Sequence, residues 1–316
     1  MLKIGKSSQE VVAVAREIIP SPEGLDQLFN SAAYAQYRAI VMMNTEVNVE
    51  TIRQPAVAGT FYPARRDLLE RDVRAFLASN KVDARHDRPK ALIVPHAGYV
   101  YSGATAAAAY ASLVKIVAGI SRVVLIGPAH RVAVRGLALP DVDAFATPLG
   151  AVKLDKDAIK LISGLKQVVL SSAAHAAEHS LEVQIPFLQS VLGEFKLVPL
   201  VVGDASASEV AEVLDRLWGG PETLIVISSD LSHFLTYEKA CAIDRKTVDS
   251  ILSLSPLHNH QHACGAIPIN GLLISAKRHH LQPQLIDLCN SGDTAGDKSR
   301  VVGYAAFAFV GEQPHE

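Results

Sequence analysis

The sequence predicts an α/β protein with three layers, in which a largely parallel central sheet is covered by helices on both faces. Two observations predict this class. Short runs made almost entirely of Val, Ile, Leu and Ala recur along the chain, and stretches with helical periodicity separate them. Strands that are buried on both faces of a parallel sheet have such near-continuous apolar sequences, and crossover helices connect them. A chain of 316 residues is long enough to bury a core of this kind.

The predicted elements follow one another from about residue 65 onward. The first helix is predicted over RRDLLERDVRAFLASN, where one helical face carries Leu69, Val73, Phe76 and Leu77. Strands are predicted at 91–95, 122–127, 136–140, 167–171, 196–202 and 223–229, and two late strands in PQLIDLC and VVGYAAFAFV. Further helices are predicted at 104–116, 179–192, 206–217, 237–253 and 265–279.

The chain is expected to divide into a short N-terminal extension and one large domain. Residues 1–52 have the character of an appendage that is helical or partly disordered. The α/β pattern begins at RQPAVAGTFYP, so the domain is expected to cover residues 53–316. Met42 and Met43 stand just before this point and leave open where translation begins.

Composition excludes several classes of partner. The formal net charge is -2 and 20% of the residues are charged, which gives no basic surface for nucleic acid. No apolar run approaches the roughly 18 to 20 residues that span a bilayer, and the first residues lack the pattern of a secretory signal. The three cysteines form no CxxC, so neither a disulfide framework nor a cysteine-based zinc knuckle is expected. We therefore expect a cytoplasmic protein with no membrane or nucleic-acid partner.

Histidines follow three of the predicted strands. His96 comes directly after the strand at 91–95, His130 ends LIGPAH, and His233 ends ISSDLSH. Ligands of parallel α/β sheets bind in the crevice outside the carboxyl ends of the strands. If the three strands are neighbours, their imidazoles converge on one crevice. The alternative is that each histidine is a hydrogen-bonded structural residue.

Two further segments contain candidates for the same crevice. HACGAIPINGLL places Cys264 at the start of a predicted helix, where the helix dipole favours the thiolate. The alternative is that Cys264 is a small buried apolar residue. AAHAAEHSLEVQIPFLQ places Glu178 and Glu182 four residues apart, hence on one helical face, with His179 beside them. The alternative there is a solvated helical face.

Seven motifs follow one another along the chain: QPAVAGTFYP, VPHAGYVYSG, LIGPAH, EHSLEVQIPFLQ, ISSDLSHF, CGAIPINGLL and GDKSRVVGYAAFA. Together and in this order they resemble the Memo family, also called Memo-like or AmmeMemoRadiSam system protein B. The resemblance runs from about Arg53 to Val310. It implies a fold similar to that of the LigB-type class III extradiol dioxygenases, in which non-haem iron lies at the strand ends of an α/β sheet.

The resemblance also implies which residues form the site. The metal positions of the family fall on His96, His130 and Cys264. The other site positions that it implies are His233, Asp230, Glu178 and His179. A thiolate in place of the carboxylate of the dioxygenases makes the ligand set softer and favours copper, zinc or a more covalent iron. The expected metal is iron or copper. Zinc is the less favoured metal.

Three functions are compatible with these residues. The first is a metal-binding redox protein or oxygenase-like enzyme that acts on a small-molecule substrate. The second is a non-catalytic module that binds a peptide or an anion in the same cleft. The third is a zinc-dependent hydrolase with Glu178 as the base. The resemblance implies a radical-SAM protein and an AMMECR1-like protein as partners, and the sequence leaves a homo-oligomer open.

Overall fold

The computed structural model describes residues 50–80, 88–114, 119–258 and 261–311. The strands in these ranges are β1 (Ile52–Arg53), β2 (Pro89–Val94), β3 (Arg122–Pro128), β4 (Leu137–Leu139), β5 (Ala144–Thr147), β6 (Gly150–Lys153), β7 (Val168–Leu170), β8 (Lys196–Val202), β9 (Thr223–Ser228), β10 (His233–Leu235), β11 (Leu281–Asn290) and β12 (Val301–Gly311). The helices are α1 (Arg66–Ser79), α2 (Tyr99–Ala111), α3 (Lys156–Ile162), α4 (Ser172–Ala176), α5 (Ile185–Leu192), α6 (Ala207–Leu217), α7 (Tyr237–Leu252) and α8 (Ala266–Arg278). Residues 1–49 of the expected N-terminal extension lie outside the described ranges.

Four parallel strands form the centre of the main sheet. They lie side by side in the order β2, β9, β3, β8. The register is regular, since Ile227 of β9 pairs with Ile93 of β2 on one side and with Ile126 of β3 on the other. All four are strands that the sequence predicts. Their parallel arrangement brings the carboxyl ends of β2, β9 and β3 together at one edge of the sheet.

The flanks of the main sheet contain antiparallel pairs, so the sheet as a whole is mixed. On one side β12 pairs antiparallel with β2, and both β10 and β11 pair antiparallel with β12. On the other side β4 pairs antiparallel with β8 and parallel with β7. The β11–β12 connection contains only a short 3-10 turn, which is too short for the crossover that a parallel pair needs. The prediction of parallel strands therefore holds for the centre of the sheet.

Helices cover both faces of the sheet, as predicted. Side chains alternate along each strand, so that Val123 and Leu125 of β3 belong to one apolar core and Val124 and Ile126 to the other. Helices α1, α2 and α5 pack on the first face, and α3, α6, α7 and α8 on the second. Among the described residues, no helix has the length and apolar character that a membrane span requires.

Two local predictions differ from the structure. The helix predicted over 179–192 is regular only from Ile185, and a 3-10 turn at Glu182–Gln184 precedes it. Glu178 and His179 lie in the link before that turn, so Glu178 and Glu182 do not share a helical face. In addition, β1, β5 and β6 form a small three-stranded sheet that was not predicted. These strands have two to four residues, which is too few to produce a clear alternating pattern.

Candidate functional site

Three histidines meet at the carboxyl edge of the central strands. His96 follows β2 in the chain, His130 follows β3, and His179 comes from the link before α5. One ring nitrogen of each histidine lies within 4.8 Å of those of the other two. The rings of His130 and His179 stack with their centroids 4.7 Å apart, and the His96 ring meets both edge-on. Two of the three predicted strand-end histidines are therefore brought together, and His179 joins them in place of His233.

The imidazole of His96 is held in one tautomer by a serine at the end of β9. The hydroxyl of Ser228 donates to the carbonyl of Ser180 at 2.5 Å and accepts from Gln184 Nε2 at 2.8 Å. Its oxygen also lies 3.0 Å from His96 Nδ1. Because the single hydroxyl proton is already used, His96 Nδ1 must be the donor, and the lone pair is on Nε2. Burial lowers the pKa of His96 well below its ordinary value, so the ring is neutral.

The imidazole of His130 is oriented by a buried carboxylate. Glu178 accepts the backbone N–H of His130 at 2.6 Å and its ring Nδ1 at 2.9 Å. The same carboxylate accepts the backbone N–H groups of His179 and Ser180, each at 2.9 Å. Burial opposes ionisation, but these hydrogen bonds outweigh it and lower the pKa of Glu178 to about 2. An ionised carboxylate only accepts, so His130 donates its Nδ1–H to Glu178.

His179 is the one member of the cluster without a fixed partner for its ring among the described residues. Its Nδ1 is buried and lies 3.3 Å from Glu178 Oε1, yet it makes no hydrogen bond. Burial lowers the pKa of His179 to about 4, so this ring too is neutral. Phe61 packs against it with a centroid distance of 4.7 Å. A buried ring nitrogen without a partner is uncommon and indicates a group that a ligand could satisfy.

Cys264 lies against the cluster on the side of His96. Its Sγ is 3.3 Å from His96 Nε2 and accepts the backbone N–H of Asp230 at 3.3 Å. It precedes α8, as predicted, but the expected stabilisation of the thiolate is outweighed. Burial, together with the nearby carboxyl of Asp230, raises the pKa of Cys264 to about 12. The thiol is therefore protonated at neutral pH unless a cation replaces its proton.

Asp230 and His233 come from the loop after β9. Asp230 Oδ1 accepts the backbone N–H of His96 at 2.7 Å, so this carboxyl group fixes the loop that carries His96. Burial raises the pKa of Asp230 to about 7. His233 begins β10, which pairs with β12. Burial lowers the pKa of His233, and its ring is neutral at physiological pH.

A cleft of about 910 Å³ opens beside the cluster. Three of the predicted site residues, His130, His233 and Cys264, contribute to its lining. The other lining residues are mainly apolar, among them Val202, Leu235, Ile243, Ile267 and Pro268. Cavities of a few hundred to about a thousand Å³ with apolar walls and a few polar groups are typical of small-molecule sites.

An arginine that the sequence analysis did not identify as a site residue supports the link that carries Glu178. Arg53 is buried and forms an ion pair of 2.5 Å with Glu182. Its other nitrogens donate to the carbonyl of His175 at 3.0 Å and to that of Glu178 at 2.8 Å. One side chain thus holds the backbone on both sides of the link. Such contacts join residues more than a hundred positions apart, so no local pattern indicates them.

Glu182 organises the segment QPAVAGTFYP around the cluster. Its carboxylate accepts two backbone N–H groups of this segment, at 2.7 and 3.0 Å, and the hydroxyl of Tyr62 at 2.6 Å. Phe61 of the same segment is the residue that packs on His179. The sequence analysis used this segment as a motif without a role. The structure shows that it forms one wall beside His179.

Comparison with known proteins shows the family of the chain. The sequence model of the family described as Memo-like protein matches residues 53–308. The chain belongs to this family. It is 36% identical over 275 residues to a MEMO1 family protein of Aquifex aeolicus, a match that covers 82% of this chain and 99% of that protein. It is 35% identical over 274 residues to a MEMO1 family protein of Methanosarcina mazei, covering 81% and 98%.

The Memo family resemblance identified from the seven motifs is thus confirmed. Among solved structures, an uncharacterized protein of Escherichia coli K12, JW3007, aligns with a TM-score of 0.47 and 15% identity. That alignment covers 71% of this chain and 100% of the other chain. The Memo-like family membership rests on the sequence relatives.

Proposed function

We propose that this Memo-like protein is a metal-dependent redox protein, or an oxygenase-like enzyme, that acts on a small molecule in the cleft. The observation that carries the proposal is the orientation of His96 and His130. Each ring donates its Nδ1–H to a buried acceptor, Ser228 or Glu178, and so leaves Nε2 as the nitrogen that can face a metal. Metal-binding histidines are held in this way by hydrogen bonds to their other ring nitrogen.

The donor atoms around these two histidines fit a transition metal. We propose His96 and His130 as ligands and Cys264 as the third, as the family resemblance implies. His179 is the rival for the third position, because it contributes a nitrogen to the cluster and its buried Nδ1 has no hydrogen bond within the described residues. Imidazole and thiolate together suit copper, zinc or a more covalent iron, and three imidazoles also suit zinc. The proposed redox function selects iron or copper among these metals.

The remaining residues divide into positioning groups and one candidate for proton transfer. When bound, the metal would supply redox chemistry and open coordination positions for the substrate. His233 lines the same cleft as His130 and Cys264, and its neutral ring can accept a proton from a bound molecule. Asp230 positions the loop of His96, and Glu178 positions the ring of His130. We therefore assign His233 as the acid or base.

The alternatives are less well supported. Four N–H groups surround the Glu178 carboxylate and its pKa is lowered to about 2, which makes it a poor base for a zinc hydrolase. The depressed pKa values of His96 and His179 keep these two rings neutral, which disfavours an anion-binding module. A non-catalytic module that binds a peptide side chain in the cleft is still compatible with the structure. Metal analysis distinguishes that function from the proposed redox function.

Family membership supports several further parts of the proposal. We propose that the domain covering residues 53–316 is related in fold to the LigB-type dioxygenases, since its cluster also lies at the carboxyl ends of parallel strands. We propose that it works in the cytoplasm, with a radical-SAM protein and an AMMECR1-like protein as partners. Homo-oligomerisation can be measured on the same preparation by light scattering.

Elemental analysis of protein purified under anaerobic conditions tests the proposal. We expect near-stoichiometric iron or copper in the wild type and loss of metal in both His96→Ala and His130→Ala. Comparison of Cys264→Ser with His179→Ala then identifies the third ligand. His279→Ala, which changes a histidine that stacks on Trp218, serves as the matched control and should keep its metal. Absence of metal in the wild type, also after anaerobic reconstitution, or full occupancy in His130→Ala would contradict the proposal.

A further inference from the structure

The cleft beside the histidine cluster is lined mainly by apolar side chains. Leu235 of β10, Ile243 of α7 and Ile267 of α8 line it from three separate elements, and all three are partly exposed. Val202, at the end of β8, is buried beneath them. Apolar side chains that are left open to a cleft favour a ligand with an apolar body, because its burial removes their surface from water.

One residue with a formal charge, Asp204, is found among the described lining residues. Its carboxylate is exposed and makes no hydrogen bond or ion pair with any residue that the structure describes. Arg135 forms an isolated β-bridge with Asp204 through the main chain, and no ion pair within 4.0 Å joins the two side chains. The carboxylate is thus available to a ligand.

The backbone that carries Asp204 is held firmly. The N–H of Asp204 donates to the carbonyl of Val134 at 2.7 Å, and its own carbonyl accepts the N–H of Gly136 at 2.8 Å. Gly203 donates to the carbonyl of Gly136 at 3.0 Å. A side chain at position 203 would collide with the Val134 carbonyl, so the close approach requires glycine there. A charged group on such a rigid support is positioned before a ligand arrives.

No lysine or arginine is found among the described residues that line the cleft. The other lining residues with polar side chains include His130, His233 and Cys264. Arg131 is exposed beside His130 but does not line the cleft. The interior therefore combines apolar walls with a single carboxylate.

We propose that the cleft selects a small molecule with an apolar body and a cationic group, such as an amine, and that Asp204 binds this group. The inference rests on the proposed function, because it names the substrate class of the same site. It adds a specificity residue that lies outside the histidine cluster. The apolar walls provide contact with the body of the molecule, and Asp204 distinguishes amines from acids of the same size.

Three probes of matched size test this inference: 2-phenylethylamine, 2-phenylethanol and 3-phenylpropionate. Their binding to the full chain is measured by isothermal titration and saturation-transfer NMR. We expect the amine to bind about tenfold more tightly than the acid, with the alcohol between them, since the carboxylate attracts one probe and repels the other. Asp204→Asn should remove the difference, and Asp204→Lys should reverse it. Asp157→Asn, at an exposed aspartate outside the cleft lining, should leave it unchanged.

A second variant tests the location of the probes. Ile243→Trp should fill the cleft and weaken all three probes together, and Ile267→Trp provides the same test from α8 if the first variant fails to fold. Preference for the acid, preference for the amine that survives in Asp204→Asn, or no binding of any probe by the wild type would overturn the inference.

The experiment is repeated after treatment with a chelator, so that the two proposals fail separately. An amine preference in a protein that never binds metal would contradict the proposed redox function and leave the cleft assignment intact. Stoichiometric metal binding without an amine preference would contradict the cleft assignment and leave the proposed redox function intact.

Discussion

Glu178 binds His130 twice, through the backbone N–H at 2.6 Å and through the ring Nδ1 at 2.9 Å. Backbone and ring are therefore fixed by one buried carboxylate, and the free Nε2 of His130 has a defined direction before any ligand binds. The adjacent N–H groups of His179 and Ser180 complete the hydrogen bonding of the same carboxylate. The position of one side chain thus determines the geometry of two histidines.

We predict that Glu178→Gln weakens metal binding by about 10- to 100-fold, the usual range for loss of a group that orients a metal-binding histidine. The amide has one acceptor oxygen in place of two, so it cannot hold both the ring and the three backbone N–H groups. Affinity is measured by competition with a chromophoric chelator. Glu194→Gln, at an exposed glutamate, is the control and should bind metal like the wild type. Equal affinities in the two variants would show that Glu178 does not position His130.

The third metal ligand can be identified from the number of protons that are released when the metal binds. Burial raises the pKa of Cys264 to about 12, so binding through its thiolate must release one proton at pH 7.5. The ring of His179 is already neutral at that pH, and binding through it releases none. We predict that the wild type releases one proton more per metal than Cys264→Ser, measured by titration calorimetry in buffers of different ionisation enthalpy. Equal proton release would favour His179.

The stability of the protein is predicted to depend on pH through His175, which lies outside the cluster. Burial lowers the pKa of His175 to about 4, and its ring is placed against Phe145 and the carbonyl of Ala138. Between pH 4 and the ordinary histidine pKa of about 6.5, the unfolded chain binds a proton that the folded chain does not. The free energy of unfolding must therefore rise with pH across this window.

His175→Gln isolates this effect, because glutamine can donate to the same carbonyl but does not titrate. Between pH 4 and 6.5, the slope of the free energy of unfolding against pH should decrease by an amount that corresponds to at most one bound proton. Urea denaturation measures this slope. Other buried histidines, such as His96 and His179, contribute equally to both proteins, so the difference belongs to His175. Parallel slopes would show that its ring is not kept neutral in the folded state.

The centre of the sheet could be predicted because its strands are continuous apolar runs. RVVLIGP and TLIVIS have no alternation, which indicates burial on both faces, and β3 and β9 lie at the middle of the sheet. The antiparallel flanks could not be predicted in this way. The direction of β12 depends on the length of its connection to β11, and the pairing of β4 with β8 depends on packing rather than on local sequence.

The site could be predicted only in part, for a physical reason. His96 and His130 follow buried strands, so the topology alone brings them together. The sequence analysis placed Glu178 and Glu182 on one helical face, because EHSLEVQ has helical spacing. In the structure the Glu178 carboxylate captures the N–H groups of His179 and Ser180, and such local bonds compete with helix formation. Ser228 was not identified, since its role depends on contacts with distant residues.

Breaking the buried ion pair between Arg53 and Glu182 is predicted to destabilise the protein far more than breaking an exposed pair. Arg53→Met leaves the Glu182 carboxylate buried without its cation and removes two bonds to backbone carbonyls. Loss of one partner of a buried pair costs about 3–5 kcal/mol. Arg66→Met removes an exposed pair with Glu70 and should cost less than about 1 kcal/mol. Urea denaturation of both variants checks the contrast, and similar losses would contradict it.

Gly303 of β12 is predicted to be essential for the loop that carries Asp230 and His233. The carbonyl of Gly303 accepts the N–H of Leu231 at 2.8 Å, and the N–H of Gly303 donates to the carbonyl of Ser232 at 2.9 Å. These two hydrogen bonds hold the loop against Gly303. A methyl group there would collide with the buried carboxylate of Asp244, which itself accepts the N–H of Ser232 at 3.0 Å.

Gly303→Ala must therefore displace either Asp244 or the loop, and we expect a loss of about 1–3 kcal/mol in the free energy of unfolding, as for other overpacked sites. Gly311→Ala, at the end of the same strand, meets no atom within 4 Å and should change stability by less than about 0.5 kcal/mol. Urea denaturation compares the two variants, and metal content reports on the loop. Because Asp230 holds the backbone of His96 through that loop, Gly303→Ala should also lose metal, whereas a variant that keeps both stability and metal would show that Asp244 can move without cost.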